Sequence, residues 1–209
     1  MNNNSPTTFY LVRHGETKWN VEKIIQGHID SPLTKKGVEG ARTLAKELKK
    51  IKFDMFFSSD LLRAKKTAEI IALEHKLVVE TTKALRERNF GHLEGKPRKK
   101  LEEWNHLTEK LTHEERISYK YSKDIESDGE ITSRLLTFIR ETAIANPGKK
   151  ILVVTHGGIM RATLIKLGFG DYHSLTPGTV NNSGYIVIET DGTEINIRET
   201  KGISLINKN

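Results

Sequence analysis

Short apolar runs alternate along the chain with longer stretches in which apolar residues recur every three or four positions. Phe9 to Val12, Phe53 to Ser58, Leu77 to Glu80 and Ile151 to Val154 read as strands, the last being the most apolar. Thr34, a residue type that caps helices, precedes Val38, Ala41, Ala45 and Leu48 at helical spacing. Leu61, Ala64, Ala68 and Ile71 mark one face of a second helix. Ile131 to Ala145 predicts a third, which stops near Asn146-Pro147-Gly148, and a further helix runs from Gly157 to Leu167. Tyr185 to Glu189 and Glu194 to Arg198 flank Asp191-Gly192, a hairpin signal. This order predicts an α/β three-layer sandwich with a mostly parallel central sheet, helices on both faces and an antiparallel edge.

Between about residues 92 and 129 the pattern loosens and charge becomes dense. Leu101, Trp104, Leu107 and Leu111 still predict one amphipathic helix, within a helical insertion that lies over the main domain. At 209 residues the chain suits a single domain, with residues 1–8 as a polar, disordered lead-in. There is no cysteine, so disulfides, thiol nucleophiles and thiolate metal sites are excluded. No apolar stretch reaches a membrane-spanning length and no signal-peptide core stands at the N-terminus, which predicts a cytoplasmic protein. The net charge of +7, from 34 basic and 27 acidic residues, is compatible with anionic partners. No long basic block with interleaved aromatics is present, so neither nucleic acid nor membrane is expected. The oligomeric state has no signature in the sequence.

Three of the strands end in reactive sequence: Arg13-His14-Gly15-Glu16-Thr17, Ser58-Ser59-Asp60 and Thr155-His156-Gly157-Gly158. The carboxyl ends of strands in an open α/β sheet line the ligand crevice. If these strands are neighbours, His14, His156 and Arg13 meet there, and Arg63 joins them from the start of the following helix. Two imidazoles and two guanidiniums suit a phosphate, because arginine grips its oxygens with a planar fork. Gly157 and Gly158 open a helix whose backbone N–H groups can face an anion. An imidazole nitrogen can attack phosphorus, and Glu87 is the candidate proton donor to the leaving group. Zinc is the chemical rival, since histidine is a common ligand; Arg13 beside His14 and the absence of an HExxH or cysteine cluster argue against it. The six remaining histidines, His28 among them, read as surface or loop residues.

Leu11-Val12-Arg13-His14-Gly15-Glu16-Thr17 with Trp19-Asn20 resembles the signature of the histidine phosphatase superfamily, the phosphoglycerate mutase-like proteins. The resemblance continues through Gln26-Gly27, Asp30 to Thr34, Gly37, Ser58 to Ala64, Thr67-Ala68, Leu85 to Gly91 and Val154 to Gly158, and spans residues 9 to 189. It implies a phosphomonoesterase acting on small phosphorylated metabolites through a phosphohistidine on His14, with neither metal nor cofactor. It implies a phosphate pocket of Arg13, His14, Arg63 and His156, with Glu87 as general acid and then base. Asn20, Gln26, Gly27, Arg88, Phe90 and Gly157 fall at substrate-contacting positions, and Glu16, Thr17 and Ser59 at positions that support the nucleophile. The stretches 19–27 and 85–91 look closest to fructose-2,6-bisphosphatase-type members, and similar motifs occur in broad sugar-phosphate phosphatases. Asp128-Gly129-Glu130-Ile131 departs from the family's Gly-Glu-Ser ahead of a helix, with Arg134 about one turn early. The insertion is shorter than in true mutases, which favours hydrolysis. Phosphoglycerate mutase-type transfer and a non-catalytic phospho-ligand binding module are the alternatives.

Overall fold

The computed structural model describes residues 5–206. Among them a six-stranded sheet has the order β3-β2-β4-β1-β5-β6. These strands are β1 (Thr7–Arg13), β2 (Met55–Ser59), β3 (Val79–Thr82), β4 (Lys150–Thr155), β5 (Val180–Thr190) and β6 (Ile195–Ile203). The first four run parallel, while β5 and β6 are antiparallel and form the expected edge. Thr7 and Thr8, expected in the lead-in, already belong to β1, and Thr7 is fully buried with its hydroxyl donating to Asn146 O at 2.6 Å. Residues 1–4 of that lead-in lie outside the described residues. β3 begins two residues later than the apolar pattern predicted, because Val78 is exposed and pairing with β2 starts at Val79.

Successive strand residues face opposite sides of a sheet. Phe9, Leu11, Ile151 and Val153 therefore enter one core, and Val12, Phe56, Leu152 and Val154 the other. The second core is covered by α2 (Lys35–Leu48) and α3 (Leu62–Ala72), through Leu44, Ala45, Leu48, Ala64, Ala68 and Ile71. The first is covered by α6 (Asp128–Ala145) and α7 (Gly157–Lys166), through Leu135, Ile139, Ile159 and Leu164. Thr34 caps α2 as expected, accepting from Gly37 N at 2.9 Å. A short α1 (Lys18–Val21) is capped by Thr17.

The insertion holds two short helices, α4 (Glu102–Thr108) and α5 (His113–Ser118), in place of the single predicted one. Thr112 interrupts the run by forming a capping box with Glu115. α6 begins earlier than Ile131, because Ser127 caps it in a box with Glu130. Glu126-Ser127 is thus the pair that opens this helix, one turn or so ahead of where the apolar pattern placed it. No helix among the described residues is long and apolar enough to cross a membrane.

Candidate active site

β1 and β4 lie side by side in parallel, with Arg13 in register with Thr155. His14 N donates to Thr155 O at 3.0 Å, so the two histidines leave neighbouring strand ends together. Their ring centroids are 5.2 Å apart, and both side chains are buried. His14 Nδ1 lies 2.7 Å from Gly15 O. A carbonyl can only accept, so Nδ1 carries the proton and Nε2 keeps its lone pair. Burial, then the Arg63 and Arg13 cations, hold the His14 imidazole well below its ordinary value of 6.5. Burial, Arg63 and His14 do the same to His156. Both rings are neutral near pH 7, and the positive charge of the site rests on the two arginines.

Arg63 is almost wholly buried at the start of α3. Its Nη2 donates to Gly27 O at 2.6 Å, and its Nη1 to Ile29 O and Asp30 Oδ1 at 3.0 Å each. Arg13 Nη1 donates to Val180 O at 2.5 Å, and burial lowers its guanidinium to about 10. What these bonds leave over is informative. Arg13 Nε, Arg63 Nε and both ring nitrogens of His156 are buried without a hydrogen-bond partner. A buried polar group left unpaired costs about 1–3 kcal/mol, so orphaned nitrogens gathered at one spot mark the place of a ligand. Three cationic or donor side chains around a neutral imidazole with a free lone pair fit a phosphoryl group.

Glu87 sits opposite, on the N-terminus of α7. Its carboxylate accepts from Gly158 N at 2.9 Å, Ile159 N at 3.1 Å and Arg88 N at 2.8 Å. The helix N–H groups at Gly158 and Ile159 are therefore held by Glu87. Gly158 makes room for Glu87, and Gly157 makes room for Arg13. A Cβ at Gly158 would lie 2.5 Å from Glu87 Oε1, and one at Gly157 would lie 2.9 Å from Arg13 Nε.

The remaining predicted residues divide. Asn20, Gln26, Gly27, Arg88, Phe90 and Gly157 all line the same cavity as His14. Gln26 Oε1 is buried and unpartnered there. Arg88 is committed elsewhere: it pairs with Asp128, donates to Glu126 O and stacks 5.1 Å from the Trp104 ring. Glu16 lies beside the N-terminus of α2, accepting from Thr34 Oγ1 at 2.9 Å with Lys36 at 3.4 Å. Thr17 caps α1, and Ser59 Oγ accepts from Leu61 N at 3.3 Å. The hydrogen bonds that hold the backbone around His14 come instead from Thr67, which the resemblance includes without a role, and from Asn182, which the sequence did not single out. Thr67 Oγ1 accepts from Gly15 N at 3.0 Å, and Asn182 Nδ2 donates to His14 O at 3.0 Å. Glu94 accepts from His28 N, Ile29 N and Phe90 N, and so fixes the loop whose carbonyls hold Arg63. No local pattern announces Asn182 or Glu94, because the backbone groups of His14, His28 and Ile29 that they hold are distant in the chain.

The cavity has a volume of about 200 Å³. Beyond the phosphate-sized end it is bordered by Arg98 and by Trp104, Arg116 and Tyr119 of the insertion, and by Tyr172. Among the described residues no group of three or more His, Cys, Asp or Glu side chains could hold a metal ion.

Residues 9–201 match the family described as the histidine phosphatase superfamily, branch 1. The chain is 35% identical over 165 residues to the uncharacterized phosphatase PhoE of Bacillus subtilis, covering 79% of each chain. It is 37% identical over 154 residues to phosphoglycerate mutase-like protein 4 of Arabidopsis thaliana, covering 73% of this chain and 67% of that one. Among solved structures, YhfR of Bacillus stearothermophilus superposes with a TM-score of 0.79 at 30% identity, covering 94% of this chain and 97% of the other.

Proposed function

This chain belongs to the histidine phosphatase superfamily, and from that premise we propose that it is a phosphomonoesterase that hydrolyses small phosphorylated metabolites through a phosphohistidine on His14. The observation that carries this reading is the ring of unpartnered buried nitrogens, from Arg13, Arg63 and His156, around a His14 whose Nε2 is free. In the first step the Nε2 lone pair attacks phosphorus, an N–P bond forms, and the ester P–O bond breaks. Glu87, which enters this step protonated, gives its proton to the departing alkoxide. In the second, Glu87 takes a proton from water as the water oxygen bonds to phosphorus and the N–P bond breaks, which releases phosphate and free His14 and leaves Glu87 protonated for the next turnover. The arginines balance the charge on the equatorial oxygens throughout. The motifs at 19–27 and 85–91 support a sugar phosphate as substrate.

Rapid-quench labelling is expected to give an acid-labile, base-stable phosphoryl adduct on His14. Labelling on Ser59, or no adduct in an active enzyme, rules the mechanism out. Mutase chemistry requires the phosphoryl group to be shielded from water. The short helices of the insertion support hydrolysis instead. Incubation with a phosphoglycerate separates the two: free phosphate reports hydrolysis and an isomerised ester reports transfer. The arginine-rich pocket supplies its own positive charge, so activity is expected to persist in excess chelator.

A further inference from the structure

Residues 86–90, which carry Glu87, belong to no helix or strand. No regular ladder of backbone hydrogen bonds fixes them. A catalytic carboxylate must nevertheless be held to within about 0.5 Å of its working position. The backbone around Glu87 is gripped by side chains that do not touch the cavity. Arg134, on α6, donates from Nη1 to Ala84 O at 2.9 Å and to Arg86 O at 2.8 Å. Its Nη2 reaches the Glu126 carboxylate at 3.2 Å and Glu87 O at 3.4 Å. Glu126 closes the far side: its carboxylate accepts from Asn89 N at 2.7 Å, while its own N donates to Asn89 O at 3.0 Å. His28 Nε2 adds a donor to Glu87 O at 2.9 Å.

We propose that the Arg134–Glu126 ion pair is a clamp that positions Glu87 for proton transfer. Arg134 holds the carbonyls before Glu87 and Glu126 holds the amide after it, so the pair brackets the residue on both sides. Neither side chain lines the cavity, so neither is a substrate contact. The attachment of α6 does not depend on Arg134, because Ile131, Leu135 and Ile139 are fully buried beneath that helix. Arg134 is a positioning residue, acting through Glu87. The inference rests on Glu87 being the proton donor, and its test separates the two.

The decisive experiment is a double-mutant cycle of Arg134→Ala with Glu87→Gln, read as the pre-steady-state phosphorylation rate on an alkyl and on a nitrophenyl phosphate. A misplacement of about 1 Å costs on the order of 10²-fold, so R134A is expected to slow the alkyl ester by roughly 10–100-fold. The nitrophenyl ester, whose leaving group needs no proton, is expected to slow severalfold less. KM is expected to move far less than kcat. In the E87Q background, R134A is expected to add little, because two residues that act as one unit are not additive. Arg134→Lys, which keeps the charge but cannot span two carbonyls and a carboxylate, is expected to fall between wild type and R134A. It also carries the test if R134A does not fold. If E87Q slows the alkyl ester but R134A or R134K costs the same factor with and without Glu87, or the same factor on both esters, the clamp is overturned alone. If E87Q leaves the alkyl ester unchanged, the assignment of Glu87 falls, and the clamp with it.

Discussion

The two ends of the cavity are built on different foundations. The end that holds His14, the proposed phosphate end, hangs on β1 and β4, which are buried on both faces between two cores. The outer end hangs on the insertion, whose own core is small: Ile25, Leu93 and Ile125 are buried, with Phe90, Leu101, Trp104 and Tyr121 packed partly against them. Its helices have seven and six residues, and Leu107 is left exposed. The insertion is tied down instead by polar and aromatic contacts, such as Arg88 on Trp104 and Arg116 at 4.1 Å from the Tyr172 ring. The difference teaches a division of labour. On the proposed function, the reacting groups sit where packing is dense and displacement is costly, while the outer wall of the cavity rests on a much smaller core.

The most severe test of that division is at His14. His14→Ala is expected to abolish turnover by about 10⁴–10⁶-fold, the usual size for loss of a nucleophile, with the melting temperature little lowered. Substantial residual turnover would place the nucleophile elsewhere. Arg63→Ala is expected to lower kcat by about 10²–10³-fold, since it removes a charge from the phosphate and frees the carbonyls of Gly27 and Ile29. A change confined to KM would make Arg63 a simple binding residue.

Stability separates the two ends directly. Leu135→Ala, in the main core, is expected to cost about 2–5 kcal/mol of global stability in denaturant unfolding. Trp104→Ala is expected to change the global transition far less and to raise amide exchange across residues 101–121 locally. Equal global losses would mean that the insertion and the sheet unfold as one cooperative unit.

The smallest effect is a slope. His14 and His156 are neutral when folded, their imidazoles held below 6.5 by burial and by the arginines. The unfolded chain binds those protons near pH 6.5 and the folded chain does not. Their contribution is therefore intact above that pH and is lost as pH falls below it, by up to about 1.4 kcal/mol per pH unit for each histidine. His75, also lowered by burial, adds to the same slope. The H14A/H156A double variant should flatten the profile between pH 6.5 and the onset of acid unfolding. An unchanged slope would mean that the site histidines are charged in the folded protein.

Most of the sheet and the phosphate end were legible because their signals are local. Strand runs end in Arg13-His14 and Thr155-His156, and Thr34 stands before a helical repeat. The insertion was less legible because its apolar positions are sparse, so the Thr112 capping box outweighed the weak repeat from Leu101 to Leu111. His28 read as a loop residue, and only the fold gives it the carbonyl of Glu87.

By itself, the sequence determined which side chains can do the chemistry and that they stand at strand ends, because hydrophobic period and cap chemistry act over a few neighbouring residues. Only the tertiary structure decided that β4 lies between β1 and β2, and so sets His156 against His14. Only it decided that Glu87 rests on the amides of Gly158 and Ile159, that Thr67 and Asn182 hold the backbone at Gly15 and His14, and that Arg134 stands behind Glu87. Such bonds join residues tens to more than a hundred positions apart, and which donor meets which acceptor is fixed only when strand order and helix packing bring those distant segments within hydrogen-bonding reach.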